Sequence, residues 1–134
     1  MSLVLVDSNV LLDILTEDRL WCDWSAKALS SAAESAVLCI NPIIYAEISI
    51  GFSRIEELDE AIPTSTFRRL ELPWSAAFLA GKCYVQYQKR GGNKRSPLPD
   101  FFIGAHAAIA GMVLLTRDAA RYRTYFPGLT LITP

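Results

Sequence analysis

LVLVDSNVLLDI, residues 3–14, sets the architecture of this chain. Leu3 to Val6 is a short apolar run that stops at Asp7, and Asn9 to Thr16 then carries Val10, Leu11 and Ile14 at helical spacing. A strand feeds directly into a helix. The step recurs where Ala36 to Ile40, a buried strand, closes on Asn41-Pro42. An Asn cap followed by Pro at the first helical position starts a helix running to about Phe52. It recurs again where the strand Met112 to Thr116 leads to Asp118, which is expected to cap a helix through Tyr125 before a last strand, Leu129 to Thr133. Strands alternating with helices predict an α/β fold with a doubly wound parallel sheet, because parallel strands need crossover connections and helices must cover both faces. In such sheets ligands gather beyond the carboxyl ends of the strands, near the point where strand order reverses. Asp7 and Asp118 each sit just past such an end.

Between these units, Leu20 to Ala33 reads as helix, and Ile55 to Ala61 as a short acidic helix stopped before Pro63. Arg69 to Leu72 reads as an edge strand ending at Pro73. Trp74 to Arg90 is a long helix broken by Gly91-Gly92-Asn93, and Ser96 to Pro99 is a loop before a nearly uncharged helix from Asp100 to Ala110. The 134 residues fit one domain, 1–134, around one core. With 51% hydrophobic and 20% charged residues, a disordered tail is excluded. No stretch reads as a membrane span or a secretory signal, so a soluble, cytoplasmic protein is expected. Cys22, Cys39 and Cys83 are odd in number and widely separated, which fits buried small hydrophobes in a reducing compartment rather than disulfides or structural zinc.

Charge is unevenly divided. Met1 to Gly81 holds 5 basic and 12 acidic residues, whereas Lys82 to Arg123 holds 8 basic and 2 acidic. Those two acids are Asp100 and Asp118. The basic residues around them, Lys89, Arg90, Lys94 and Arg95 before Asp100 and Arg117, Arg121 and Arg123 near Asp118, would attract a phosphate backbone.

Taken singly, Asp7, Asp100 and Asp118 each have the bland explanation of a helix N-cap. Glu47 does not: it is the only charged residue between Asn41 and Phe52, and it shares a helical stripe with Ile43, Ile44, Ile48 and Gly51. It is therefore expected to point inward. Burying a lone carboxylate costs several kcal/mol unless it is paired, protonated or bound to a metal. The helix from Asp100, apolar nearly all round, repeats the anomaly. A divalent cation would resolve it, and oxygen-only ligands select hard ions such as Mg2+ or Mn2+.

Val6-Asp7-Ser8-Asn9-Val10-Leu11, Tyr45-Ala46-Glu47-Ile48, Leu98-Pro99-Asp100-Phe101-Phe102-Ile103-Gly104-Ala105 and Leu114-Leu115-Thr116-Arg117-Asp118 resemble, in order and spacing, the four acidic motifs of PIN-domain ribonucleases. The resemblance is closest to the VapC-type toxins of toxin–antitoxin pairs, and it spans essentially the whole chain. It implies a Rossmann-like three-layer α/β/α fold with a central parallel sheet. It also implies one or two Mg2+ or Mn2+ ions held by Asp7, Glu47, Asp100 and Asp118, and endonucleolytic cleavage of single-stranded or loop RNA by metal-activated water. By the same mapping Asn9 and Thr116 support the site through hydrogen bonds. Members are usually homodimers neutralised by a small antitoxin protein.

His106 reads as a core or interface histidine, and Trp21 and Trp24, at helical spacing with Ala28, as packing residues or else a dimer or antitoxin contact. Two other functions compete. A phosphoacceptor receiver domain would need an Asp ending a middle strand and a Lys ending a late one, but the candidates end Glu71-Leu72-Pro73 and Ile132-Thr133-Pro134. A catalytically inactive RNA-binding or scaffold protein of the same fold is expected to have lost some of the acids, and all four are present.

Overall fold

In the computed structural model, which describes residues 2–134, β1 (Ser2–Val6) leads into α1 (Ser8–Leu15). α2 (Cys22–Ser35) returns the chain to β2 (Ala36–Ile40), which is followed by α3 (Pro42–Ser49), α4 (Ile55–Ala61) and the short β3 (Phe67–Arg69). Then come α5 (Trp74–Lys89), α6 (Pro99–Ala110), β4 (Val113–Leu115), α7 (Ala120–Tyr125) and β5 (Leu131–Ile132). The five strands form one all-parallel sheet in the order β3-β2-β1-β4-β5, flanked by helices in a three-layer α/β/α arrangement. Val4, Leu5 and Val6 on β1, Leu38, Cys39 and Ile40 on β2, and Leu114 and Leu115 on β4 are all buried. Continuous burial, with no alternation, is what helices on both faces impose on a parallel strand. Strand order reverses between β1 and β4, so their carboxyl ends open the crevice in which doubly wound folds place ligands.

Local sequence explains the junctions. Asn41 accepts the Ile44 N–H at 3.0 Å and Pro42 occupies the first helical position of α3. Asn41 has its Oδ1 committed there, so its Nδ2 donates to His106 Nδ1 at 3.0 Å. That bond requires an unprotonated Nδ1, and burial of the ring holds the His106 pKa below its ordinary value. His106 is a satisfied core histidine. Gly111, at φ 67°, supplies the left-handed residue that ends α6. Gly104 lets α6 approach Phe126: a Cβ there would lie 2.4 Å from the Phe126 ring.

Several boundaries differ from the sequence expectation. The edge strand is Phe67–Arg69 rather than Arg69 to Leu72. Phe67 pairs with Leu38 and fills the core, and Leu70 makes a last bond to Ile40 O just before β2 ends. The last strand has only Leu131 and Ile132, because β4 offers it two partners. α3 stops at Ser49, and Gly51 and Phe52 bond back in tight turns instead of extending it. α6 is buried at Phe101 and from Ile103 to Ala107, with Phe102 half-buried, but its last turn projects, leaving Ile109 48% exposed. Trp24 and Ala28 pack against the core, and Trp21 meets Trp24 edge-on with ring centroids 6.4 Å apart. The cysteines are free, Cys39 and Cys83 buried and Cys22 half-buried. Among the described residues, no helix is long and apolar enough to cross a membrane.

Candidate active site

Asp7 follows the last residue of β1, and its backbone N–H still bonds Leu115 O on β4. It occupies the N-cap position of α1, yet its side chain makes no capping bond. The carboxylate is instead turned into the crevice, where it is 3% exposed. There Oδ2 accepts from Tyr122 Oη at 2.8 Å and from Thr116 Oγ1 at 2.9 Å. The cap explanation fails for the other two aspartates as well. Asp100 lies one residue inside α6, behind Pro99, where a negative charge suits the helix dipole without capping it. Asp118 precedes Ala119, which occupies the N-cap position of α7, so Asp118 is not the cap that the sequence leads one to expect. The Asp118 backbone N–H turns back to Thr116 Oγ1 at 3.2 Å, leaving the side chain exposed.

Hydroxyl groups stitch the acids together. Tyr122 Oη, 2.8 Å from Asp7 Oδ2, also lies 3.4 Å from Asp100 Oδ1. Ser8 Oγ donates to Glu47 Oε1 at 2.8 Å and stands 3.5 Å from Asp7 Oδ1. Glu47 therefore joins the cluster from the rim: it is half-buried rather than turned into the core, because the stripe of Ile44 and Ile48 carries the helix contact and Gly51 has already left the helix. Asn9 Nδ2 donates to Thr116 Oγ1 at 3.1 Å, and Asn9 Oδ1 accepts the Arg117 N–H at 3.2 Å, which ties α1 to the loop after β4.

Burial pushes the Asp7 carboxyl up to about 6, against the bonds from Tyr122 and Thr116 and with help from the negative charges of Asp100 and Glu47. Burial also raises Glu47, and the charge of Asp100 adds to it. Asp100 is raised by burial and by Asp118, and held down by the Arg121 guanidinium and the Tyr122 bond. Tyr122 itself is raised far beyond its ordinary range by burial and by Asp7, so it remains a donor at every accessible pH. The site is an excess of negative charge held in a partly buried crevice. Among the described residues no three carboxylate, imidazole or thiol side chains already converge on one point as chelating ligands. The fit to a hard cation is one of donor chemistry: oxygen ligands only, mutually repelling and partly desolvated.

The basic residues divide into groups. Arg121 lies over the Tyr87 and Phe101 rings, at 5.7 and 5.9 Å from their centroids, beside Asp100. Arg90 lies over Tyr125 at 5.1 Å. Lys89, Lys94, Arg95 and Arg123 are exposed, and the loop carrying Lys94 is anchored where Tyr84 Oη donates to Lys94 O at 3.0 Å. Arg117 is different. Its Nε donates to Asp13 Oδ2 at 2.8 Å and its guanidinium covers Trp21 at 5.6 Å, while Ser25 Oγ donates to the same Asp13 oxygen at 2.8 Å. Asp13 is 2% exposed, so the charge of Arg117 is engaged in holding the Thr116–Asp118 loop against α1 and α2.

Sequence reading missed Tyr122, Ser8 and Asp13. Asp13 carried the signal that exposed Glu47, a carboxylate on the apolar stripe of Val10, Leu11 and Ile14. Tyr122 carried none, since its partners lie 115 and 22 residues away. Arg117→Ala is expected to destabilise the protein by about 2 kcal/mol, between the ranges for exposed and buried pairs, because Asp13 stays buried with one partner fewer. Urea unfolding checks this: recovery of most of the loss in the Asp13→Asn, Arg117→Met double variant is expected, and an unchanged midpoint in Arg117→Ala would remove the strut from the account.

The chain matches the family described as PIN domain over residues 4–127. No curated protein matches it. Among solved structures it is similar to the crystal structure of VapBC2 from Rickettsia felis bound to a DNA fragment from their promoter, with TM-score 0.74, 18% identity and 98% of each chain covered. It is also similar to VapBC-1 from nontypeable Haemophilus influenzae, with TM-score 0.73, 18% identity, and 98% of this chain and 97% of that one covered. A toxin–antitoxin complex from Klebsiella pneumoniae gives TM-score 0.68 and 23% identity, over 98% of this chain and 97% of that one. At these identities the likeness is one of fold.

Proposed function

The chain belongs to the PIN domain family, and on that premise we propose that it is a metal-dependent endoribonuclease, a single domain over residues 1–134 that acts in the cytoplasm as the toxin of a toxin–antitoxin pair. The observation that carries the reading is the shared environment of Asp7, Glu47 and Asp100: buried or half-buried carboxylates are linked through Tyr122 and Ser8 at the strand-order reversal, and the charge of Asp100 raises the proton affinity of the other two. With Asp118 they would hold one or two Mg2+ or Mn2+ ions. Such an ion supplies an activated water at neutral pH and neutralises charge on the scissile phosphate.

The chain's own groups do the rest. Thr116 and Tyr122 fix the Asp7 carboxylate by bonding one of its oxygens, which leaves Oδ1 toward Ser8. Ser8 orients Glu47, and Asn9 holds Thr116 in place. Arg121, beside Asp100, would contact the RNA strand, and Lys89, Arg90, Lys94 and Arg95 would extend the positive surface before α6. An antitoxin protein as partner is supported by the toxin–antitoxin complex among the similar structures, and a homodimer is proposed with it.

The test is incubation of the purified protein with structured RNAs in Mg2+, in Mn2+ and in chelator, beside an Asp7→Asn control. Replacing Lys89, Arg90, Lys94 and Arg95 by Ser is expected to weaken RNA binding and to flatten the slope of log affinity against log salt by up to about 3, since each lost phosphate contact on a single strand contributes about 0.7. These side chains are exposed, so the fold is expected to survive. An unchanged slope would assign them to solubility alone.

A further inference from the structure

We propose that the cleft beside Asp100 and Asp118 is a stacking subsite for an unpaired nucleobase of the RNA strand being cut, an inference that rests on the nuclease reading above. The cleft has a volume of about 370 Å³ and is lined by Tyr87, Asp100, Asp118, Arg121, Thr124 and Tyr125 among others. This is within the size range of pockets that hold small molecules. Two of the four acids and two half-buried aromatic rings thus line the same cleft.

The chemistry of the lining selects a flat, neutral ring. A free anion meets two carboxylates in the wall, and an aliphatic group gains little from the charged side. An aromatic heterocycle gains from both kinds of surface, stacking on tyrosine rings and on guanidinium planes. The cleft offers guanidinium planes laid on aromatic rings. Arg121 lies over Tyr87 and Phe101, and Arg90 lies over Tyr125, with 5.1 Å between guanidinium and ring centroid in the latter case. The platform is rigid, since Phe101 is fully buried and meets Tyr125 and Tyr87 edge-on, with centroids 4.9 and 5.7 Å apart. Thr124 Oγ1 donates to Ala120 O, so its hydroxyl oxygen is left to accept from a base amino group. A paired base has both faces covered by its neighbours in the stack, so only an unpaired one can enter. The cleft shares Asp100 and Asp118 with the acid cluster, which places the stacked base next to the phosphate under attack.

The test is an abasic walk. A short single-stranded oligoribonucleotide that the wild-type protein cleaves is prepared with one abasic residue at each position in turn, and binding is measured by anisotropy with Ca2+ in place of Mg2+. One position, or two adjacent ones, is expected to bind about five- to a hundredfold more weakly than the intact strand, the range of base–aromatic stacking. In Tyr125→Leu that penalty is expected to vanish and the intact strand to bind more weakly by the same factor, whereas Tyr125→Phe keeps both. A 2-aminopurine at the sensitive position is expected to be quenched on binding wild type and Tyr125→Phe, but not Tyr125→Leu. A flat walk with a strand that is still cleaved overturns the subsite and leaves the nuclease standing, and so does a penalty that persists in folded Tyr125→Leu. Absence of any binding or cleavage of both single-stranded and structured RNA overturns the nuclease reading itself. The wild-type walk is decisive alone, so a Tyr125→Leu chain that fails to fold does not shield the inference.

Discussion

Asp7→Asn and Asp100→Asn are expected to lose RNA cleavage in saturating Mg2+ or Mn2+, with kcat/KM falling by at least about a hundredfold, the upper end of what groups merely supporting metal ligands cost. The geometry separates loss of charge from loss of structure. Asp7 Oδ2 accepts from both Tyr122 and Thr116, and an Asn side-chain oxygen can take the same two bonds. What disappears is one of the four negative charges that would hold the ion. Excess chelator is expected to have the same effect on the wild type. Steady-state cleavage assays beside circular dichroism of each variant decide the matter. Retained activity in both variants, or full activity in chelator, would falsify the metal-dependent reading and return these acids to a structural role.

The second expectation concerns stability without metal: Asp7→Asn should melt higher than wild type at neutral pH in chelator. The Asp7 carboxyl takes up a proton more readily in the folded protein, at about 6, than in an unfolded chain, at 3.8. Ionising it therefore opposes folding. Its favourable contribution is complete below about pH 4 and is lost as pH rises through about 6, amounting to about 3 kcal/mol at pH 7.5. Removing the charge removes the penalty, which for a chain of this size corresponds to a rise in Tm of about 6 to 12 °C. Near pH 4.5 the advantage should shrink to about 1 kcal/mol, because little of the wild-type penalty has developed there. Asp118→Asn, whose carboxylate is exposed, is expected to change little by comparison. Metal should reverse the order: at a thousand times its dissociation constant a ligand stabilises the native state by about 4.1 kcal/mol, more than the penalty, and the variant lacks a ligand. Melts at the two pH values, with chelator and with Mn2+, are the measurement. A lower Tm for Asp7→Asn at neutral pH in chelator would mean that the buried carboxylate is stabilising as it stands, and that the site stores no repulsion for a cation to relieve.

Much of this molecule is dictated locally. The run from Leu3 to Val6 ending at Asp7, the Asn41-Pro42 helix start, and the strand before Thr116 each carry their structure in a few adjacent residues, through apolar patterning and capping. Because parallel strands all point the same way, those local units also place Asp7, Thr116 and Asp118 at one edge of the sheet without further information. Where the edge strand sits was a different matter. Arg68 and Arg69 make the segment look polar, and only pairing with Leu38 to Ile40 shows that Phe67 is the residue going inward. The fate of the charges was likewise decided by the tertiary structure. Arg117 stands between two site residues and reads as a cation for phosphate, yet it is engaged by Asp13, 104 residues earlier in the chain. Tyr122, the hydroxyl nearest both Asp7 and Asp100, is unremarked among arginines until α7 folds over the crevice. Periodicity and capping act over one or two helical turns, and so they are written in sequence. A hydrogen bond or an ion pair depends on a few ångströms between side chains that only the packed sheet and helices bring together.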